Sequence, residues 1–256
     1  HVITVGWPFE QLLLKRGVKP EKMTIILNSA DPDIFPPERR IAAPFDRGAE
    51  NFTVAYWGTA AHRNGLDFAI RALALARQTV PHLRLAIQGR GETIPELKEL
   101  AEALGVAEAI TWTDPGPVDK IVDVILNCDA GIIPYRLDGF AELVLPTKAY
   151  ELAWMQRPII AARTAGIVSM FRPESMMLCA PEDPIGFAEA IIALHNDQAL
   201  RQRLVANAAA DYAPYHWEAM SQRYLELLRR LLGRTAAETA TAADVLAPPA
   251  MVMPPR

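Results

Sequence analysis

The stretch 140–151, FAELVLPTKAYE, holds the residues best suited to bind a phosphorylated ligand. The pattern predicts a loop that runs into a helix, with Pro146 at the first helical position, where its missing N–H costs nothing. Thr147 and Lys148 then lie in the first turn, where unpaired N–H groups and the helix dipole favour a phosphate. Glu151 lies one turn further on, and its carboxylate can accept hydrogen bonds from two neighbouring sugar hydroxyls. Together these residues outline a site for a nucleotide sugar.

The same two charges also allow an ordinary explanation. Lys148 and Glu151 are three residues apart, so on an exposed helix they would form a surface ion pair worth only about a few tenths of a kcal/mol. The two explanations differ in burial. A binding site needs this turn to open on a cleft, whereas a surface ion pair needs only solvent.

Two glycine-containing loops are further candidates for ligand contacts. Gly58 follows an apolar run and lets the backbone approach a ligand closely, and Arg63 in the same loop can grip a phosphate with two hydrogen bonds. The alternative is a tight turn that carries a solvated arginine. Gly89 and Gly91 follow the next apolar run, where they either line the site or turn the chain. Neither the dinucleotide fingerprint nor the P-loop pattern occurs in the sequence.

Strands and helices alternate along the chain from about residue 52. Apolar runs predict strands at 53–57, 83–87, 109–113, 130–134, 158–162 and 176–180. Helices are predicted at 67–78, 95–104, 118–126, 184–195 and 198–212, and also from Pro146 and from Trp217 onward. This alternation predicts an α/β fold, a Rossmann-like parallel sheet with helices on both faces, whose ligands bind beyond the carboxyl ends of the strands.

The composition excludes several classes of protein. With 51% hydrophobic and 22% charged residues, the 256-residue chain resembles ordinary globular proteins. Its net charge of −4 gives no electrostatic case for binding nucleic acid. No apolar run approaches the ~20 residues of a membrane span, and the first residues lack the pattern of a signal peptide. The histidines show no metal-site spacing. Cys128 and Cys179 lie in apolar segments, which predicts buried thiols and a cytoplasmic location.

The two ends of the chain differ from this alternating body. Residues 1–45 contain only short strand-like runs and one helix, so we expect the end of a preceding domain and its linker. Residues 46–232 form the predicted Rossmann-like domain, and the Ala/Thr/Pro-rich residues 233–256 form a low-complexity tail. Because strands without partners seek a pairing edge, residues 1–45 should either pack against the body or pair with another copy to form an oligomer.

The order and spacing of these motifs resemble the C-terminal, nucleotide-sugar-binding half of the group 1 (family 4) glycosyltransferases, which have the GT-B fold. The resemblance covers nearly the whole chain up to about Leu232. It rests on the segments 2–6, 17–18, 25–36, 58–67, 87–92, 134–136, 146–151, 157–161 and 217–218. Each segment alone is weakly specific, and their common order carries the resemblance.

The resemblance implies an enzyme that transfers a sugar, such as a hexose, from a nucleotide diphosphate sugar to a glycan or lipid acceptor. It implies no resident cofactor, because the nucleotide sugar is the substrate. Glu151 would bind the ribose hydroxyls. Lys148, Thr147 and Arg63 would hold the diphosphate and stabilise the charge that builds on the leaving group.

The resemblance also assigns the remaining parts of the ligand. Gly58 and Thr59 would form the first phosphate loop, and the nucleobase would meet backbone near Gly89 and Gly116.

In the family, the acceptor site and the usual acid/base residue belong to the N-terminal half. We therefore expect this chain to bind a nucleotide sugar but to transfer nothing alone. Membrane association in this family usually involves that other half.

Three positions depart from the family pattern. Thr59 and Asn64 stand where the family often has an arginine and a lysine, so Arg63 would have to replace them. The first member of the family's glutamate pair corresponds to Leu143, which leaves Glu142 one residue out of register. Glu142 can still reach the sugar hydroxyls if the loop is shifted.

Two other functions are compatible with these residues. One is a different GT-B enzyme, such as a sugar-nucleotide epimerase or a phosphorylase. A phosphorylase would need a lysine that holds pyridoxal phosphate, and of the lysines only Lys148 lies in the predicted site. The other is a non-catalytic nucleotide-binding module.

Overall fold

In the computed structural model, the described residues are 1–42 and 52–233, and they form two parallel sheets covered by helices. The strands are β1 (Val2–Thr4), β2 (Met23–Ile25), β3 (Thr53–Trp57), β4 (Arg84–Gln88), β5 (Ile110–Thr113), β6 (Ala130–Ile133), β7 (Ile159–Ala162) and β8 (Met177–Cys179). The helices are α1 (Trp7–Lys15), α2 (Pro37–Ala42), α3 (Leu66–Ala76), α4 (Ile94–Ala103), α5 (Asp119–Leu126), α6 (Thr147–Trp154), α7 (Ala165–Val168), α8 (Pro184–Asn196), α9 (Gln198–Tyr212) and α10 (Trp217–Leu232).

The larger sheet contains a topological switch point. Its six parallel strands lie in the order β5-β4-β3-β6-β7-β8, so the chain builds outward from β3 to β5 and then returns to place β6 on the other side of β3. At such a point the two following loops diverge and leave a crevice at the carboxyl ends of the strands. The loops 58–65 and 134–146 border this crevice, and α6 follows the second loop. The predicted Rossmann-like sheet is confirmed.

Each face of the sheet carries its own apolar layer. Val54 and Tyr56 of β3 join the cluster that contains α3, α4 and α8, whereas Ala55 and Trp57 join the cluster that contains α5, α6 and the C-terminal part of α9. A strand covered on both faces reads as a continuous apolar run, which is why these strands are visible in the sequence. Tyr56 and Trp57 therefore approach the crevice from opposite faces of the sheet.

The N-terminal segment packs against the larger sheet and its helices. Strands β1 and β2 pair in parallel as a separate two-stranded sheet. After β2, the backbone N–H of Ala30 donates to the Tyr212 hydroxyl at 2.9 Å, and the carbonyl of Phe35 accepts from Trp154 Nε1 at 2.7 Å. These contacts favour packing on the body over pairing with another copy. The predicted boundary near residue 45 and almost all of the predicted tail lie outside the described residues.

Some local expectations are wrong. Pro146 is the N-cap of α6 rather than its first helical residue, because its ψ of 137° keeps the backbone extended and the helix begins at Thr147. Helix α7 was not predicted at all.

Candidate functional site

Lys148 is a buried cation at the start of α6. Its residue is 8% exposed, and its Nζ lies 4.6 Å from the centroid of the Tyr56 ring and 5.8 Å from that of Tyr135. Within the described part of the chain, neither a hydrogen bond nor an ion pair reaches Nζ. Burial lowers the pKa of Lys148 to about 8, although the charge of Glu151 opposes this shift. A desolvated ammonium held only by aromatic faces is suited to bind an anion.

Gly58 places backbone directly beside this ammonium. Its φ of +115° belongs to the region that favours glycine, and a Cβ at this position would lie 3.2 Å from Lys148 Nζ. Both the turn after β3 and the space around the cation therefore need a residue without a side chain. The first turn of α6 adds backbone N–H groups that have no intrahelical acceptor. Together these groups make the start of α6 and the adjoining loop positively polarised.

Glu151 lies one turn further along α6 and is half-buried. Its Oε2 accepts a hydrogen bond of 2.7 Å from the indole Nε1–H of Trp57. Burial raises the pKa of Glu151, while the Trp57 hydrogen bond and the charge of Lys148 oppose the rise. The alternative of an ordinary surface ion pair is wrong, because Lys148 is buried and the two side chains interact only at longer range.

The loop after β3 is fixed by buried hydrogen bonds. The Tyr56 hydroxyl donates to the carbonyl of Thr59 at 2.6 Å, and Asn64 Nδ2 donates to the Tyr56 hydroxyl at 3.0 Å and to the same carbonyl. Asn64 is therefore a structural residue at the position where the family often has a lysine. The side chains of Thr59 and Arg63 are exposed, and the Arg63 guanidinium lies 5.6 Å from the Phe140 ring centroid.

Gly89 has a packing role that the sequence does not show. The N–H of Gly58 donates to the carbonyl of Gln88 at 2.9 Å, and that of Ala60 donates to Arg90 at 2.9 Å, so the two loops continue the pairing of β3 and β4. A Cβ on Gly89 would lie 1.9 Å from the carbonyl oxygen of Gly58. Gly89 thus keeps the Gly58 loop in place, whether or not it also contacts a ligand.

A cavity of about 350 Å³ lies beyond β4 and β5. Its lining includes Gly89, Arg90, Trp112 and Asp114, and Lys98 Nζ lies 5.8 Å from the Trp112 ring centroid. The cavity adjoins one of the two positions predicted to meet the nucleobase. The other, Gly116, is exposed in the loop after β5, and a Cβ there would meet the side chain of Lys120.

Glu142 joins the loop 134–146 to α7. Its Oε1 accepts from the backbone N–H of Ala165 at 3.3 Å, and its backbone carbonyl accepts from Gly166 at 2.9 Å. Its Oε2 is buried and has no hydrogen-bond partner among the described residues. The structure therefore gives Glu142 a local anchoring contact and leaves one acceptor atom for a ligand.

Sequence reasoning missed the aromatic residues of the site. Tyr56, Trp57 and Tyr135 surround Lys148 and Glu151, yet the sequence shows them only as ends of apolar runs. A signal was present, because the last residues of a parallel strand lie at the edge where ligands bind. Gln88, paired in register with Trp57, was missed too, and its buried Oε1 has no partner among the described residues.

Comparison with known sequences identifies the family. The profile of the family described as "Glycosyl transferases group 1" matches residues 51–197, more than half of the chain. The chain belongs to the group 1 glycosyltransferases. Within this family, a D-inositol 3-phosphate glycosyltransferase of Acidothermus cellulolyticus is 30% identical to it, over 96% of this chain and 57% of that protein. A second such protein, from Thermomonospora curvata, is 26% identical over 92% of the chain and 57% of its own length.

Solved structures of other proteins share the fold of this group 1 glycosyltransferase. Anabaena HepE, solved in complex with UDP-glucose, matches with a TM-score of 0.75 and 19% identity over 90% of this chain and 63% of that one. The C-terminal domain of Francisella tularensis LpcC, a group 1 family protein, matches with a TM-score of 0.60 and 14% identity over 74% of this chain and its own full length.

Three further findings concern the length of the chain, membrane-spanning helices and metal sites. The chain spans little more than half the length of the curated relatives named above, 57% in both cases. None of the helices in residues 1–42 and 52–233 combines the length and the apolar character that crossing a bilayer requires. The same residues contain no cluster of three His, Cys, Asp or Glu side chains arranged to hold a metal ion.

Proposed function

We propose that the crevice at the carboxyl ends of β3 and β6 binds the nucleoside diphosphate of a sugar donor. One observation carries the proposal: Lys148 Nζ is buried beside Gly58 without an acceptor among the described residues, while Trp57 orients the Glu151 carboxylate one turn away. Anabaena HepE, which was solved in complex with UDP and with UDP-glucose, supports the same ligand class.

The chemistry that these residues can perform is stabilisation of a leaving group. As the bond to the transferred sugar breaks, negative charge grows on the diphosphate. Lys148, the N–H groups of the first turn of α6 and the mobile cation Arg63 oppose that charge. The desolvated position of Lys148 makes its contribution larger than that of a solvated lysine. Glu151 would hold the ribose and so place the diphosphate against these donors.

The acceptor and the complete reaction are part of the same proposal. The chain would supply the donor-binding half of an enzyme that moves a hexose-like sugar to a glycan or lipid. The family resemblance places the acceptor site and the usual acid/base residue in the N-terminal half, so we expect the isolated chain to bind the donor without transferring sugar. A second half would have to bring the acceptor and the base.

A titration of the purified chain tests this proposal. We expect isothermal calorimetry to detect binding of at least one of UDP, GDP and ADP, and Glu151→Ala to remove it. The matched control is Glu102→Ala on α4, whose exposed carboxylate lies outside the crevice and should leave the affinity unchanged. Failure to bind all three nucleotides would contradict the proposal and favour a non-catalytic role. Rapid glycosylation of an added acceptor by the chain alone would contradict the expected division into two halves.

A further inference from the structure

The hydrogen bond between Trp57 and Glu151 joins two distant parts of the chain. Trp57 is the last residue of β3 and Glu151 belongs to α6, 94 residues later. The donor–acceptor distance of 2.7 Å is typical of a hydrogen bond to an ionised acceptor. Such a contact fixes the direction of a carboxylate that would otherwise rotate about its side-chain torsions.

The indole is a rigid donor. Trp57 is 3% exposed and packs in the apolar cluster that includes Ala149 and Ala153 of α6. Its position is therefore set by the core rather than by the ligand, and its N–H points along one direction only. A binding site is precise when the side chain that contacts the ligand is held by a second side chain that packing keeps in place, as Trp57 holds Glu151.

The bond uses one acceptor position of the carboxylate and leaves the others for a ligand. An ionised carboxylate offers about four lone-pair sites. Trp57 occupies one on Oε2, and none of the described residues forms a hydrogen bond or an ion pair with Oε1. A vicinal diol places two O–H donors side by side and can use the remaining sites. Burial, which raises the pKa of Glu151, would favour a neutral acid, and the indole N–H opposes this by stabilising the ionised form.

We infer that Trp57 is a positioning residue that aims the Glu151 carboxylate at the ribose diol and makes the site select ribonucleotides over 2′-deoxyribonucleotides. The inference rests on the proposed function, because it assumes that Glu151 meets the ribose. It goes further by assigning the discrimination between two sugars to an indole that need not touch the ligand. Lys148 and the first turn of α6 bind the diphosphate independently of this bond.

The experiment compares three ligands on two variants. Affinities of UDP, 2′-deoxy-UDP and inorganic pyrophosphate are measured by calorimetry for the native chain, Trp57→Phe and Trp154→Phe. If GDP or ADP binds the native chain more tightly than UDP, that nucleotide and its 2′-deoxy form replace the uridine pair. Trp154→Phe is the matched control, because Trp154 also lies on α6. Its Nε1 donates a hydrogen bond of 2.7 Å to the carbonyl of Phe35, away from the crevice.

We expect the native chain and Trp154→Phe to prefer the ribonucleotide by about tenfold, the worth of one hydrogen bond to a charged group. In Trp57→Phe this ratio should fall to about two, while the affinity for pyrophosphate stays within about twofold of native. An unchanged ratio in Trp57→Phe would overturn the inference. Equal weakening of UDP and pyrophosphate would overturn it too, since the indole would then only support the fold.

Two further arms keep the test decisive. If Trp57→Phe unfolds, 3-benzothienylalanine at position 57 preserves the ring shape while replacing the N–H by sulfur, and the same ratio is read. If the native chain binds none of the nucleotides, the proposed function fails. If it binds a ribonucleotide and Glu151→Gln weakens that binding, but the ratio survives loss of the indole N–H, only the role of Trp57 is refuted.

Discussion

The two sides of the crevice are built in different ways. On the α6 side, Lys148 and Trp57 are buried, and the core holds them in place with Glu151. On the loop side, Thr59 and Arg63 are exposed, and no buried contact restrains their side chains. The first side is organised before any ligand arrives. On the second side buried hydrogen bonds fix the loop backbone, and only the exposed side chains remain for the ligand to order.

This difference predicts unequal contributions to binding. A charge in a desolvated position interacts strongly because the local dielectric is low, and its ordering has already been achieved on folding. An exposed arginine keeps its hydration and its rotamer freedom, so its contact with a phosphate is weaker and depends on salt. Substitutions on the α6 side should therefore have large effects on affinity, and those on the loop side should have small ones.

Replacing Lys148 by methionine should give the largest effect. We expect affinity for the bound nucleoside diphosphate to fall about 100-fold, because a charge-assisted contact in a desolvated site contributes roughly 2–3 kcal/mol. Thermal unfolding of the ligand-free variant should occur at a higher temperature, because a buried charge is removed while the volume is kept. A variant that binds as tightly as the native chain would remove the distinction between the two sides.

Gly58→Ala tests whether the backbone beside the ammonium must be bare. We expect about tenfold weaker nucleotide binding, because the new methyl would lie 3.2 Å from Lys148 Nζ in the native geometry and the φ of +115° is strained for alanine. The matched control is Gly105→Ala, where φ is +68° and no described heavy atom lies within 4 Å of the Cβ position. Both variants should lose stability on denaturant unfolding. Equal affinities of Gly58→Ala and Gly105→Ala for the nucleotide would show that a methyl group beside the ammonium is tolerated.

The pH dependence of affinity should follow Lys148. Its pKa of about 8 means that the ammonium loses its proton within a range that calorimetry can cover. We expect affinity to fall by up to about tenfold between pH 8 and pH 9, and the Lys148→Met variant to lack this step. The stability of the ligand-free chain should change in the opposite direction. A lysine whose pKa is lowered on folding binds its proton more tightly in the unfolded chain. The free energy of unfolding therefore rises with pH between about 8 and the ordinary lysine pKa of 10.5.

Arg63→Ala should have the smallest effect. We expect a two- to fivefold loss of affinity at low salt that nearly disappears at about 0.5 M salt, because an exposed charge is screened. Arg203→Ala removes an equally exposed arginine from α9 and serves as the control. A loss that persists at high salt would place Arg63 in a closed, desolvated contact and would make the two sides alike.

Much of the fold could be predicted because its signals are local. The strand predicted at 53–57 is β3 without change, since a strand buried on both faces is a continuous apolar run. The start of α8 is equally local: the helix predicted from residue 184 begins at Pro184, where the Asp183 carboxylate accepts from the N–H groups of Ile185 and Gly186. Helix α7 has only four residues, Ala165–Val168, and such a segment has no helical period to detect.

The site could be predicted only in part for the same reason. Lys148 and Glu151 are neighbours on one helix, so their spacing was informative. The contact of Trp57 with Glu151 spans 94 residues and depends on how β3 and α6 pack. The role of Asn64 is equally hidden, because its buried hydrogen bonds need the folded loop around Tyr56. Contacts created by topology leave little trace in one sequence.

Gly89 has a consequence for reading mutational scans of this family member. Any larger residue there would displace the carbonyl of Gly58, which would lie 1.9 Å from the new methyl, and would move the neighbouring turn with it. Lost affinity would then look like a lost ligand contact, although the damage travels through the adjacent loop. Loss of a glycine that keeps the neighbouring loop in place and loss of a glycine that contacts the ligand would both weaken binding. A structure of the variant distinguishes the two, because only the first moves the Gly58 turn.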